Sequence, residues 1–157
     1  MYAKGDRIVH PMHGAGVVED IISQRREGAV HEYYVFRAPS EDVVVLIPVL
    51  SCDAIGVRPV VSREAALEAL DAFAAYVPDT GGSWNRRYRE NMQRLRSGRL
   101  IDTVAVVKSL MLRDQERVLS TGERKMLVVA RNILLSELTA ATGCPAGELE
   151  QALQQRL

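Results

Sequence analysis

Hydrophobic residues change their spacing once along these 157 residues, near Ser62: the first third resists a helical reading and the remainder invites one. Before that point, short β-branched runs alternate with turn residues and no 3.6-residue period is sustained. Candidate strands are Arg7 to His10, Gly16 to Ile22, His31 to Arg37, Val43 to Ile47 and Ile55 to Arg58. Pro11 with Gly14 and Gly16, Glu27 with Gly28, and Pro39 to Asp42 separate them, each a group that presets or tolerates a turn. Five strands in about 60 residues suit a small, strongly bent sheet of the SH3 or Tudor kind better than an open sheet, because closure hides edges.

After Ser62 the pattern is helical to the end. Ser62 can cap a helix carrying Ala66, Leu67, Leu70, Phe73 and Ala74 on one face, which Pro78 must end. Pro78 to Ser83 is the clearest loop. Ser83 then caps a helix from Trp84 to about Ser97, closed by Gly98, and another helix runs from about Leu100 to Val118. Ser120 and Glu123 form a capping box that opens a helix through Thr142, stopped by Gly143. A short terminal helix runs to about Gln155, with Pro145 at a first-turn position that needs no amide donor. The expected fold class is therefore α+β: residues 1–61 as a Tudor-like β barrel, and residues 62–157 as a compact domain of about five helices.

Charge matters only locally. Twenty basic and twenty acidic residues cancel, which argues against a protein that coats nucleic acid nonspecifically. Yet between Trp84 and Arg99 stand Arg86, Arg87, Arg89, Arg94, Arg96 and Arg99 against Glu90 alone. Neither a run of about 18 apolar residues nor an apolar N-terminal leader is present, so a cytoplasmic protein without membrane contact is expected. Cys52 and Cys144 stand alone and are read as small, partly buried side chains.

Catalytic signatures are missing. There is no Gly-x-Ser-x-Gly, Walker-type loop or HExxH, and no spacing pairs two carboxylates at one site. His10 and His13 flank Pro11 without a supporting cluster of ligands, so a polar turn edge is preferred to a metal site. Gly14-Ala15-Gly16 precedes a strand instead of opening a helix, the wrong context for a nucleotide fingerprint. No enzyme, metal or cofactor is expected.

Two segments do carry chemistry. Trp84, Tyr88, Met92 and Leu95 share one helix face, so all four could be core. Against that, Trp84 is the only tryptophan, sits in the first turn after Gly-Gly-Ser, and has Arg86, Arg87 and Arg89 around it. A planar apolar ring among guanidinium groups suits DNA, the cations holding phosphates while the ring stacks on or wedges beside a base. Arg94, Arg96 and Arg99 fit a solvated face or a diffuse attraction to DNA equally well. Arg124 and Lys125 occupy the first turn of the helix capped by Ser120, where the dipole prefers anions, and so hint at phosphate. In the first module, Val43 to Pro48 lacks the alternation of a strand with one wet face. Either another domain covers its second face, or that face is exposed and receives a partner.

Taken together, Lys4-Gly5-Asp6, Gly14-Ala15-Gly16-Val17-Val18, Ile47-Pro48, Gly56-Val57-Arg58, Trp84-Asn85-Arg86-Arg87-Tyr88 and Gly122-Glu123-Arg124-Lys125-Met126-Leu127 resemble the CarD/CdnL family of bacterial transcription regulators. The resemblance runs in order over nearly the whole chain, and the last two blocks are its specific part. It implies an N-terminal module, similar to the polymerase-interacting domain of the transcription-repair coupling factor, that binds the β subunit of RNA polymerase. It also implies a helical domain that meets promoter DNA at the upstream edge of the transcription bubble and stabilises the open complex.

Carried over by position, Val35, Leu46 and Pro48 fall on polymerase contacts, and Arg37 and Ile47 complete the expected set. Trp84 falls on the family's minor-groove wedge with Arg86 beside it, and Asn85, Arg87, Arg89, Arg124 and Lys125 complete the expected DNA set. Some relatives have arginine where this chain has Gln24 and Leu46, so its polymerase contact should be more apolar and less salt-sensitive, or weaker. A monomer reaching the nucleoid through polymerase is expected. Two rivals stand against it: a pure protein adaptor, in which Trp84 is core and the basic patch is solvated, and an enzyme, whose turnover or metal uptake would depend on His10 or His13.

Overall fold

The computed structural model describes all residues 1–157. Five strands come first: β1 (Arg7–His10), β2 (Gly14–Arg26), β3 (Ala29–Ala38), β4 (Val43–Pro48) and β5 (Arg58–Pro59), with a four-residue helix α1 (Cys52–Ile55) before the last. They form one antiparallel sheet in the order β4-β3-β2-β1-β5. No ladder joins β4 to β5, so β4 keeps a free edge. The inner face buries Ile8, Val18, Tyr34, Phe36, Ala38 and Ile47, with Cys52 and Val57 completing the cluster.

The helices come next: α2 (Arg63–Ala75), α3 (Trp84–Ser97), α4 (Leu100–Glu116), α5 (Thr121–Thr142) and α6 (Ala146–Gln155). Ser62, Ser83 and Ser120 cap α2, α3 and α5 through their side chains, and Gly98 and Gly143 end α3 and α5 in the left-handed conformation. A second core, larger than the first, fills the space among these helices, with Phe73, Val106, Leu110, Leu134, Leu138 and Leu153 almost fully buried. At its edge Lys108 is buried, its ammonium donating to the carbonyls of Phe73 (2.6 Å), Ala74 (3.2 Å) and Arg156 (3.2 Å) at the C-terminal ends of α2 and α6. No single helix is long and apolar enough to cross a membrane.

Several expectations need correcting. β2 and β3 run longer than expected because the ladder continues through polar residues to a two-residue turn at Glu27 and Gly28, both with positive φ. That hairpin end is exposed, so hydrophobic alternation cannot mark it. Ile55 to Arg58 is not a strand. Cys52–Ile55 is helical, Gly56 caps it at φ 102°, and only Arg58 and Pro59 pair with β1. In α2 the buried stripe is Ala66, Ala69, Leu70 and Phe73, while Leu67 and Ala74 face outward, each one residue past a member of the stripe and so about 100° round the helix. α4 ends at Glu116 instead of Val118, since Arg117 is extended. Pro145 sits at the cap of α6, its carbonyl accepting from Glu148 and Leu149.

The two cores meet along α5. Ala15 N–H donates to Ser136 Oγ at 2.9 Å, and a Cβ on Gly14 would clash with that oxygen. On Gly16 a Cβ would clash with the Arg37 carbonyl oxygen. The Gly-Ala-Gly turn is thus a packing device where strand meets strand and helix. Arg58 donates to both carboxylate oxygens of Glu137 at 2.6 Å and to the Gly98 carbonyl at 2.7 Å. Glu137 is 1% exposed and also accepts from Val61 N–H at 3.1 Å. Paired and hydrogen-bonded in this way, a buried charge is tolerable.

Candidate nucleic-acid interface

Trp84 opens α3 directly after its cap. Its ring lies over that of Tyr88, one helical turn on, with centroids 5.0 Å apart and planes 16° from parallel. Exposure falls along the face: Trp84 is 40% exposed, Tyr88 and Met92 are half-buried, and Leu95 is core. The four-residue stripe is therefore part surface and part core, and Trp84 is its surface end.

The indole N–H reaches across the bundle to Ser120 Oγ at 3.3 Å, joining the starts of α3 and α5. Ser120 Oγ also accepts from Glu123 N–H at 3.2 Å, and Glu123 accepts from Ser120 N–H at 3.3 Å, the reciprocal capping box. Burial opposes ionisation of the Glu123 carboxyl. Hydrogen bonding to Ser120 and the Arg113 guanidinium, 3.1 Å away, outweigh burial and hold it below the usual carboxylate range.

Around this pair the expected cations divide. Arg89, Arg124 and Lys125 are exposed and free of ion pairs, and Asn85 is exposed beside them. Arg86 is exposed but bonded to Glu90 at 2.9 Å. Arg87 turns inward, half-buried, donating to the Gly82 carbonyl at 2.7 Å, and so braces the loop before α3 instead of facing solvent. Of the more distal arginines, Arg94 bonds Asn91 and Arg99 pairs with Asp102, while Arg96 is simply exposed.

The second surface is on the sheet. The register pairs Tyr33 with Pro48, Val35 with Leu46 and Arg37 with Val44 on the outer face. Val44 is 48% and Leu46 38% exposed, Val35 and Pro48 are half-buried, and Arg37 is bonded to Glu19. The second face of β4 is open, not covered by the helices. Ile47, paired with Tyr34, points the other way and is 1% exposed, which removes it from the expected contact set. Gln24 lies on this same outer face by register. Two residues on, Arg26 stacks over the Tyr33 ring at 5.7 Å, so a cation stands on this face near Gln24.

Elsewhere, His13 bonds Glu41 at 2.8 Å and His10 accepts from Met12 N–H at 3.0 Å. Cys52 is core and Cys144 half-buried. The residues that sequence reasoning misses are Tyr88 as the backing of Trp84, and Ser120 as its hydrogen-bond partner. The capping box is visible in the sequence, but nothing there places it beside a tryptophan 36 residues earlier.

Comparison with known proteins gives a consistent result. The model of the CarD-like/TRCF RID domain matches residues 2–61, and that of the CarD C-terminal domain matches residues 68–154. The chain is also 33% identical over 143 residues to the "Putative transcription factor YdeB" of Bacillus subtilis (strain 168), an alignment covering 91% of this chain and 94% of that protein.

Proposed function

Because the chain belongs to the CarD/CdnL family of transcription regulators, we propose that it grips the β subunit of RNA polymerase through the outer face of β3 and β4 and steadies open promoter DNA with Trp84. The observation that carries this reading is the placement of Trp84: 40% exposed, at the start of a helix, with unpaired Arg89, Arg124 and Lys125 also exposed. Such a ring can insert at the upstream edge of the bubble while the cations hold phosphates, without reading sequence. The polymerase contact is assigned to Val35, Arg37, Leu46 and Pro48, beside a free strand edge that can accept a partner strand.

A ligand shifts an equilibrium only by its differential affinity for the two states, so Trp84 must bind open DNA better than closed duplex. Stacking one base on an aromatic ring contributes about 1–3 kcal/mol, a shift of roughly fivefold to 150-fold in the open-to-closed ratio. Anchoring on polymerase raises the local concentration of Trp84, so weak DNA contacts suffice for a protein with no net charge. The same reasoning expects little binding to free DNA.

Open-complex lifetime tests this directly, using polymerase of the same organism on a promoter whose open complex is unstable. The protein should prolong the lifetime, and a folded Trp84→Ala variant should bind polymerase equally well yet fail to prolong it. A folded variant that performs as wild type would remove Trp84 from the mechanism. If neither protein contacts DNA in the complex, the adaptor reading takes its place.

A further inference from the structure

The two sequence blocks that carry the family resemblance lie far apart in the chain but form one object. Tyr88 backs one face of the Trp84 ring, and its own ring edge lies over Gly122, where a Cβ would come within 3.3 Å of Tyr88 Cε2. Ser120 accepts the indole N–H, and Glu123 fixes Ser120 through the capping box while Arg113 holds Glu123. The result constrains Trp84 in two directions: Tyr88 sets its plane, and Ser120 sets its rotation within that plane. Trp84 nevertheless stays 40% exposed, and with Tyr88 stacked on one face, the other is the face open to a ligand in this reading.

We infer that Tyr88, Ser120 and Gly122 are positioning residues that hold Trp84 ready to receive a single unstacked nucleobase on its outer face, extending the Tyr88–Trp84 stack by one member. This deepens the proposed function and rests on it. The benefit is entropic. A long aromatic side chain free to change rotamer loses that freedom on binding, whereas one already held loses little. It also restricts the ligand: with Tyr88 on the inner face the ring offers a platform for one base, not a slot for two, and a π-face carries no sequence preference.

Trp84 is the only tryptophan, so its fluorescence reports this arrangement alone in the free protein. Tyr88→Leu removes the backing ring, and Ser120→Ala removes the indole acceptor along with the helix cap. Ser120→Asp restores both a cap and an acceptor, and Tyr88→Phe keeps the ring. Gly122→Val separates positioning from helix stability, since valine is no worse than glycine in a helix but must displace Tyr88.

In the full-length protein, Tyr88→Leu, Ser120→Ala and Gly122→Val should each increase acrylamide quenching and local depolarisation of Trp84. Each should also shorten the open-complex lifetime by about threefold to tenfold, the range expected for freeing one side chain, with polymerase affinity unchanged. Tyr88→Phe and Ser120→Asp should behave as wild type in both assays. If folded Tyr88→Leu and Gly122→Val leave the lifetime intact while Trp84→Ala abolishes it, the positioning role is wrong and the proposed function stands. If Trp84→Ala also has no effect, both fall together.

Discussion

The sheet and the helical bundle present their candidate surfaces in different ways. On the sheet, neighbours on the outer face are neighbours by register: Val35 opposes Leu46 and Arg37 opposes Val44 because consecutive residues of a strand alternate between faces. In the bundle, Trp84 depends on Ser120 and Gly122 from another helix, which meet it only after α3, α4 and α5 have packed. The sheet surface is thus local and additive, and single changes there should alter binding with little effect on folding. The helical surface is tertiary, so side chains that never touch a partner still govern it.

The largest effect should come where the two regions are joined. Glu137→Ala leaves the Arg58 guanidinium facing a space that held its partner, and breaking such a pair by one member costs on the order of 3 kcal/mol. Urea unfolding of the variant should show that loss. It should also pull apart two signals expected to coincide in wild type, Trp84 fluorescence for the bundle and amide protection of β2 and β3 for the sheet. Coincident transitions in the variant would mean that the cores are coupled by something other than Arg58 and Glu137. On the sheet, Leu46→Glu adds a charge to a side chain already 38% exposed. Its stability should stay within about 0.5 kcal/mol of wild type, while affinity for polymerase drops at least about tenfold, the effect of an unpaired charge facing an apolar contact. A Leu46→Glu protein that unfolds readily but binds normally would reverse the contrast between the two regions.

How much of this is legible in the sequence divides along the same line. Local signals are legible: the serine caps, the capping box, the glycine stops and the successive steps from Trp84 through Tyr88 and Met92 to Leu95 all relate groups about one turn apart. Ile47 reads wrongly as surface because an unbroken apolar run hides which members face inward, and only pairing with Tyr34 decides it. Gly56 misleads for a related reason, since Ile-Gly-Val-Arg alternates like a strand although its glycine ends a helix. Lys108 is invisible. Its three carbonyl partners come from two helix ends brought together only by folding, and in sequence it is one lysine on an apolar helix. Arg58 with Glu137, 79 residues apart, escapes for the same cause.

The smallest effect expected is a titration confined to the sheet. His10 ends β1, its ring against that of His13 at 4.7 Å and near Phe36 at 6.3 Å. Burial, reinforced by the neighbouring His13 and only partly opposed by Glu41, lowers its pKa from 6.5 to about 4. The unfolded chain therefore binds the proton more readily than the folded one between those two values. His10 contributes its full stabilisation above pH 6.5 and loses it progressively as the pH falls towards 4. A His10→Gln variant, whose amide oxygen can still accept from Met12 N–H, lacks this titration. Its melting temperature should fall less than that of wild type between pH 6.5 and 4, and the difference should track protection of β1 and β2 amides, with the bundle unaffected until the sheet is lost. Parallel pH profiles for the two proteins would show that His10 does not resist protonation in the fold, and that acid sensitivity has another source.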